Sequence, residues 1–173
     1  MQNDSEPVDP RIDLVGMDRD DFKGVTDGLG EPAYRSRQLY QWIYQRGVTD
    51  FAEMHNLSKA TRAKLDETYR IGRPAVGTAQ RSVDGTRKWL LGFADGNLAE
   101  TVFIPEEDRG TLCVSSQVGC SLTCSFCHTG TQKLVRNLTP ADIVGQFMKA
   151  RDDVGDWSRA EEGRRLTNIV FMG

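Results

Sequence analysis

The chain has 173 residues, of which 38% are hydrophobic and 27% are charged, and its formal net charge is -3. No apolar run approaches the ~20 residues that a membrane helix needs, and residues 1–13 lack the basic start and apolar core of a signal peptide. We therefore exclude a membrane-spanning protein and expect a cytoplasmic one, with reduced cysteines and a disordered N-terminus over residues 1–13.

Charge is distributed unevenly along the sequence. Residues 1–32 hold nine acids and three bases, a net charge of -6, whereas residues 59–88 hold eight bases and three acids, a net charge of +5. The basic zone at residues 59–88 is compatible with contact to phosphate groups even in an acidic protein. The alternative interpretation is a solvated helix face.

Helical signals follow the acidic N-terminus. Apolar residues at helical spacing predict a first helix that stops at Gly30, and Ser36 is a plausible N-cap for a second helix that ends at Gly47. Ser58 is the predicted cap of a third helix. Three short helices of this kind predict a small helical N-terminal domain over residues 14–75.

The pattern then changes to the alternation of β-strands. A hairpin is predicted around Asp95 and Gly96, and residues 76–110 are interpreted as a β-hairpin connector. Glu100 is the one charged member of a face of the return strand, whose other members are Leu98, Val102 and Ile104. This glutamate is either an exposed edge residue or a carboxylate that points into a site at the sheet surface.

The last part of the chain has the pattern of a βαβ unit. Residues 112–115 predict a strand, Thr139 and the proline after it predict a helix start, and residues 169–172 predict a buried parallel strand. Residues 111–173 thus predict an α/β architecture. Because a single βαβ unit cannot bury both faces of its strands, we expect this chain to be part of a longer protein or to be completed by another chain.

Three cysteines with the spacing C-x3-C-x2-C form the most informative motif: Cys120, Cys124 and Cys127. A closed zinc site needs four protein ligands, so zinc would require Cys113 or His128 as well. The sequence from Cys124 to His128 also matches the C-x-x-C-H motif of c-type haem, and disulfides or separate buried thiols are further alternatives. A four-iron cluster with three cysteine ligands keeps one iron open, and this is the interpretation that the spacing favours.

The cysteine motif, with Phe126 just before its last cysteine, resembles the signature of radical S-adenosylmethionine (SAM) enzymes. The surrounding sequence closely resembles the bacterial RNA methyltransferases that methylate C2 of adenine. This resemblance extends from about residue 14 to the end of the chain. It is carried by Arg37-Gln-Leu-Tyr-Gln-Trp-Ile-Tyr, Glu100-Thr-Val-Phe-Ile-Pro, Arg109-Gly-Thr-Leu-Cys113-Val-Ser-Ser-Gln-Val-Gly-Cys120, Arg136-Asn-Leu-Thr and Gly145-Gln.

The resemblance implies a partial (β/α) barrel, of which residues 111–173 would be the start, and a set of site residues. A [4Fe-4S] cluster would be held by Cys120, Cys124 and Cys127, and SAM would bind its open iron. Glu100 matches the proton acceptor of the family, and Cys113 matches a cysteine that resolves a covalent protein–RNA adduct. Gly173 matches the first glycine of the SAM-binding segment.

The resemblance also implies partners and a limit. The substrates would be 23S rRNA and tRNA, the electron donor a protein such as flavodoxin, and the enzyme a monomer without a membrane partner. The family's methyl-carrying cysteine has no counterpart in this sequence, so we expect the 173 residues alone to be inactive. The related methyltransferases of adenine C8 share much of the pattern, and a zinc-bound RNA-binding module is the non-enzymatic alternative.

Overall fold

A mixed α/β architecture is present in the computed structural model, which describes residues 9–122, 124–125, 131–157 and 163–172. These residues contain four α-helices and nine β-strands, which confirms the predicted α/β class. A helical N-terminal part precedes a five-stranded sheet, and one long helix packs against both. No helix in the described residues is long and apolar enough to cross a lipid bilayer.

Three α-helices and two short helical turns build the N-terminal part. They are α1 (Arg19–Gly28), α2 (Tyr34–Tyr40), a π-helical turn (Gln41–Gln45), a 3-10 turn (Phe51–Glu53) and α3 (Lys59–Thr68). Strand β1 (Ile12–Asp13) pairs in parallel with β2 (Tyr69–Arg70), and this pairing joins the two ends of the helical part.

Disorder predicted up to residue 13 is wrong for Ile12 and Asp13, which form β1. The acidic composition suggested a solvated tail, but the carboxylate of Asp13 forms an ion pair with Arg70 at 2.8 Å. It also accepts the backbone N–H of Gly72 at 3.0 Å. Residues 1–8 of the predicted tail lie outside the described residues.

Of the two serine caps predicted in the helical part, one is confirmed. The hydroxyl of Ser58 accepts the backbone N–H of Thr61 at 3.0 Å, and α3 follows directly. Ser36, in contrast, lies inside α2, where its hydroxyl donates to the carbonyl of Ala33 at 2.7 Å. The prediction for Ser36 is wrong because Pro32, with its fixed φ, starts the turn and its carbonyl accepts the first backbone hydrogen bond.

A five-stranded sheet forms most of the remaining chain, with the spatial order β3-β4-β5-β6-β9. Its strands are β3 (Ala75–Arg81), β4 (Arg87–Gly92), β5 (Leu98–Pro105), β6 (Gly110–Ser115) and β9 (Asn168–Met172). The first four are antiparallel neighbours, whereas β6 and β9 are parallel and connected through α4 (Pro140–Val154). The predicted βαβ unit is therefore confirmed, and it shares one sheet with the predicted hairpin.

The hairpin differs in two details from its prediction. Phe93 and Asn97 are joined by a backbone hydrogen bond of 2.9 Å, so three residues rather than two form the loop that contains Asp95 and Gly96. Strand β3 was not predicted at all. All seven of its residues are exposed, so it carries no alternation of apolar and polar residues that could reveal it.

One face of the sheet is covered by α4 and the other is open. The covered face contributes the apolar core residues Trp89, Leu91, Phe103, Leu112 and Val114, which pack with Ala150 and Val154 of α4. The alternate residues of β5 point to the open face, among them Glu100. The face of the sheet that carries Glu100 is therefore not a buried face, because the described residues leave it open.

Strand β9 corrects another prediction. It pairs in parallel with β6 as expected, but all five of its residues are exposed rather than buried. Ile169 and Phe171, on the side that α4 covers elsewhere, have 47% and 62% of their surface accessible. An apolar run is typical of a strand covered on both faces, and the described residues cover neither face of β9.

Helix α4 belongs to two cores at once. Met148 is buried in the core of the helical N-terminal part, whereas Ala150 and Val154 are buried against the sheet. A salt bridge reinforces the first contact, because the guanidinium of Arg73 binds Asp152 at 2.7 Å. Loss of the apolar contacts of α4 should therefore weaken both parts together.

We expect Met148→Ala to lower the free energy of unfolding by about 2–4 kcal/mol, because the substitution removes a side chain that is 1% exposed and leaves a cavity. Urea unfolding of the full-length protein, followed by tryptophan fluorescence, measures this loss. The neighbouring Lys149→Ala is the control. It removes only a surface ion pair with Asp153, so its effect should stay within about 0.5 kcal/mol. Equal losses for the two variants would contradict the shared core.

Candidate functional site

A short antiparallel ribbon fixes the base of the cysteine loop. Strands β7 (Gln117–Val118) and β8 (Arg136–Asn137) pair directly after β6, so the loop between them begins and ends near the carboxyl end of that strand. Two further backbone bonds of 2.8 and 2.9 Å close the base. Underneath it, Val118 and Leu138 are buried with Ala99 of β5 and pack against Ile143 of α4.

Two of the three motif cysteines lie in the described part of the chain. Cys120 and Cys124 are free, half-buried thiols, and the backbone N–H of Leu122 points at the sulfur of Cys120 at 3.3 Å. Cys127 lies outside the described residues, as do Phe126 and His128. Among the described residues, no three metal-binding side chains come together.

The chemistry of these two thiols fits an iron–sulfur cluster. Thiolates are the usual ligands of such clusters, and amide N–H groups directed at sulfur tune them. The N–H of Leu122 supplies such a hydrogen bond at Cys120.

Cys113 and Glu100 occupy the open face of the sheet rather than the cysteine loop. Cys113 lies in the middle of β6, where it faces Val102 of β5 in the antiparallel register. Glu100 lies two residues before Val102, so both side chains project from the same face. The structure thus brings the two candidate residues to one surface. Gly173, the predicted edge of the SAM segment, lies outside the described residues.

Lys88 is a partner of Glu100 that the sequence did not reveal. Its ammonium lies 3.2 Å from a carboxylate oxygen of Glu100, and the two side chains are 43% and 55% exposed. The register pairs Lys88 with Val102, which places the lysine diagonally across from Glu100 on the same face. The alternation of β4 indicates the face on which Lys88 lies, since Trp89 and Leu91 point to the opposite side, but only the register of β4 and β5 gives its partner.

Gln146 fixes the end of β6 from below and was also missed as a site residue. It is fully buried, and its amide oxygen accepts from Thr101 at 2.8 Å and from the backbone N–H of Ser115 at 2.9 Å. Its amide nitrogen donates to the carbonyl of Ser115 at 3.0 Å. The hydroxyl of Ser115 in turn donates to the carbonyl of Glu100 at 2.7 Å. A single side chain of α4 therefore positions the last residue of β6.

Arg136 ties the returning arm of the loop to two other elements. Its guanidinium pairs with Asp95 in the β4–β5 turn and with Asp142 in the first turn of α4, the latter at 2.8 Å. Asp142 also completes a capping box with Thr139, the predicted helix start. The Arg136 guanidinium holds the pKa of Asp95 well below its usual range. This ion pair therefore persists at every pH above the ordinary titration of aspartate.

The basic zone at residues 59–88 does not form a free cationic surface. Five of its eight bases bond to acids or carbonyls of the described chain: Arg62, Arg70, Arg73, Arg87 and Lys88. They are spread from α3 to β4 rather than gathered on one helix. This segment alone therefore provides weak support for phosphate contact.

Gly119 allows the two arms of the loop to approach closely. Its φ is +74°, and a Cβ placed on it would lie 2.1 Å from the carbonyl oxygen of Lys133. We expect Gly119→Ala to displace this arm and to speed tryptic cleavage after Lys133 roughly 5- to 100-fold, as about 1–3 kcal/mol of strain favours local opening. Mass spectrometry of timed digests measures the rate.

Gly96→Ala is the matched control for this prediction. Gly96 has a similar φ of +79°, but a Cβ there would meet no atom within 4 Å. Cleavage after Lys133 should stay close to the wild-type rate in this variant. The same acceleration in both variants would show that backbone conformation, not the close approach, controls the loop.

Comparison with known proteins adds independent evidence. Residues 12–71 match the family described as the ribosomal RNA large subunit methyltransferase N-terminal domain. The chain is 58% identical over 171 residues to the dual-specificity RNA methyltransferase RlmN of Rhodospirillum rubrum, covering 98% of this chain and 40% of that protein. The protein of the same name from Rhizorhabdus wittichii is 59% identical over 170 residues, covering 96% of this chain and 42% of that protein.

A solved structure shows the same fold. The crystal structure of a radical SAM methyltransferase from Sphaerobacter thermophilus superposes with a TM-score of 0.78 and 36% sequence identity, covering 91% of this chain and 45% of that one. The chain spans about 40% of the length of the curated relatives described above. It therefore belongs to the family of these RNA methyltransferases and corresponds to about two fifths of their length.

Proposed function

We propose that the protein that carries this chain, at the full length of its relatives, is a radical SAM methyltransferase acting on RNA. Its substrates would be adenines of 23S rRNA and tRNA, methylated at C2. The supporting observation is that relatives named dual-specificity RNA methyltransferase are 58% and 59% identical over nearly the whole chain. The cysteine loop at the carboxyl end of β6 is the part of the fold that fits this chemistry.

The cofactors of the proposal are a [4Fe-4S] cluster and SAM. Cys120, Cys124 and Cys127 would hold the cluster, and Gly173 would begin the segment that contacts SAM. When bound, the pair would supply the one-electron chemistry that methylation of an electron-poor ring carbon requires. The protein orients the loop through its β7–β8 base and through Gln146, and the Leu122 N–H donates to the sulfur of Cys120.

The open face of the sheet supports the roles proposed for Glu100 and Cys113. A carboxylate on this face can accept a proton from the substrate adenine, and the ammonium of Lys88 lies 3.2 Å from a carboxylate oxygen of Glu100. Cys113 lies on the same face, one strand away, where its thiol would resolve the adduct between protein and RNA. Each of the two residues comes directly after a strand residue that points to the covered face. Its own side chain therefore points to the open face and is not buried under α4.

The remaining parts of the proposal concern the whole protein. We propose that it is a cytoplasmic monomer that receives electrons from a protein such as flavodoxin. Because the 173 residues span about 40% of their relatives and leave both faces of β9 exposed, we expect them to be inactive alone. The assays below therefore use the full-length protein, with the 173-residue chain as a comparison.

The first experiment tests the cluster. After anaerobic reconstitution, we expect about four irons and four sulfides per protein and an EPR signal of the reduced form that changes when SAM is added. Cys120→Ala, Cys124→Ala and Cys127→Ala should each lose most of the iron and sulfide. Cys113→Ala is the matched control and should keep the full metal content, because its thiol lies in β6.

The opposite metal result would reject the proposal. Zinc without acid-labile sulfide would leave a zinc-bound RNA-binding module, and loss of metal in Cys113→Ala would favour Cys113 as a fourth ligand.

The second experiment tests the proton acceptor. We expect Glu100→Gln to lower methyl transfer to RNA by about 100-fold or more, because an amide cannot accept the proton, while the cluster and its response to SAM are retained. Mass spectrometry of digested RNA measures the methylated nucleoside and separates C2 from C8 methyladenine. Glu106→Gln, which removes only a surface ion pair with Arg109, should keep nearly wild-type activity. Full activity in Glu100→Gln would remove the glutamate from the mechanism, and a C8 product would change the assigned position.

A further inference from the structure

A pocket of about 390 Å³ lies in the helical N-terminal part, away from the cysteine loop. Two rows of side chains line it. Arg19 and Lys23 lie four residues apart on α1, and Arg37, Gln41 and Gln45 lie at successive intervals of four along α2 and the π-helical turn. Residues four apart lie on one face of a helix, so each helix presents one polar face to the pocket. We name this space, together with Tyr40 between the rows, the α1–α2 pocket.

The α1–α2 pocket is positively charged although it belongs to the acidic end of the chain. Three bases and no acid line it. The ammonium of Lys23 forms an ion pair with Asp20 at 2.5 Å. Arg19 stacks over the Tyr40 ring, with its guanidinium carbon 5.2 Å from the ring centroid. Arg37 makes no ion pair or side-chain hydrogen bond with the described part of the chain. Two guanidinium groups are thus available to an anion.

Four of the acids that give this segment its negative charge have partners outside the pocket. Asp18 and Asp21 form the capping box at the start of α1. Asp13 pairs with Arg70, and Asp9 pairs with Arg11. Asp20 lies beside Lys23 and offsets its charge, so the positive charge of the pocket rests on Arg19 and Arg37.

The backbone on one side of the pocket is unusual. The N–H of Arg46 donates to the carbonyl of Gln41 at 3.2 Å, which closes the π-helical turn. Such turns are rare overall, but those that occur are often found at functional sites, because they redirect side chains at some cost in stability. Here the turn begins at Gln41 and ends at Gln45, so both amides reach the pocket. Each amide can donate to a phosphate oxygen or bond to a sugar hydroxyl.

We propose that the α1–α2 pocket binds the phosphate backbone of the RNA substrate, with Arg19 and Arg37 as the principal phosphate contacts. The inference rests on the proposed function, since it names the part of the protein that would hold the RNA outside the reacting centre. Arginine presents a planar set of donors that matches phosphate geometry. The pocket volume lies at the lower end of the range for small-ligand sites, which suits one nucleotide-sized portion of a longer chain.

The experiment measures RNA affinity against salt. The equilibrium dissociation constant of the full-length protein for substrate RNA is determined from about 50 to about 300 mM salt, since each phosphate contact contributes about -0.7 to -0.9 to the slope of log K against log salt. We expect Arg37→Gln and Arg19→Gln each to weaken binding about five- to tenfold near 100 mM salt and to reduce the slope by about one. Arg37→Lys should restore part of the loss because it keeps the charge.

The matched control is Arg46→Gln. Arg46 belongs to the same helical part but stacks on the Trp42 ring, with its guanidinium carbon 3.9 Å from the centroid, and does not line the pocket. The Arg46→Gln variant loses the same charge and should leave the slope of log K against log salt unchanged. An equal loss in Arg46→Gln would show a general charge effect and would overturn the proposal, as would wild-type slopes in both pocket variants. Circular dichroism of each variant checks that the helices remain folded.

A methyl-transfer assay separates this inference from the proposed function. Arg46→Gln, which does not line the pocket, should methylate RNA like the wild-type protein, whereas Arg37→Gln should need about five- to tenfold more RNA to reach half of its maximal rate, because a phosphate contact is lost. If the wild-type protein methylates RNA but the pocket variants keep the wild-type slope, only the pocket inference fails. If the wild-type protein binds RNA through the pocket but transfers no methyl group, only the proposed function fails.

Discussion

The buried amide of Gln146 is the contact on which the arrangement of the site depends. It lies in an apolar core, where every unpaired polar group would cost about 1–3 kcal/mol, so α4 can pack only where this amide meets Thr101 and Ser115. That requirement fixes α4 against the middle of β5 and the end of β6. The cysteine loop leaves the sheet directly after Ser115, so its starting point is set by the same hydrogen bonds.

Helix α4 transmits this constraint in two directions. At its start, Asp142 binds Arg136 and thereby anchors the arm by which the cysteine loop returns. Further along, Met148 closes the core of the helical part, and Asp152 binds Arg73 at the boundary of that part. The proposed RNA-binding helices and the proposed cluster loop therefore rest on one helix, which gives a physical reason for a fixed distance between them.

The two faces of the sheet have different tasks for a related reason. The face under α4 buries large apolar residues such as Trp89 and Leu91, and it supplies the stability of this part. The open face carries Glu100, Lys88 and Cys113, which are polar or reactive and would be costly under a helix. Because residues in a strand alternate, stability and chemistry can share the same strands without competing for the same positions.

The sequence alone determined the features that depend on local pattern: the α/β class, the cap at Ser58, the βαβ unit and the family resemblance carried by the cysteine motif. Tertiary structure decided what depends on distant partners. Strand β3 has no apolar pattern, and β9 is exposed because burial depends on what lies above a strand. The pairing of Lys88 with Glu100 and the α1–α2 pocket were likewise invisible, since register and helix packing bring together residues that no local spacing connects.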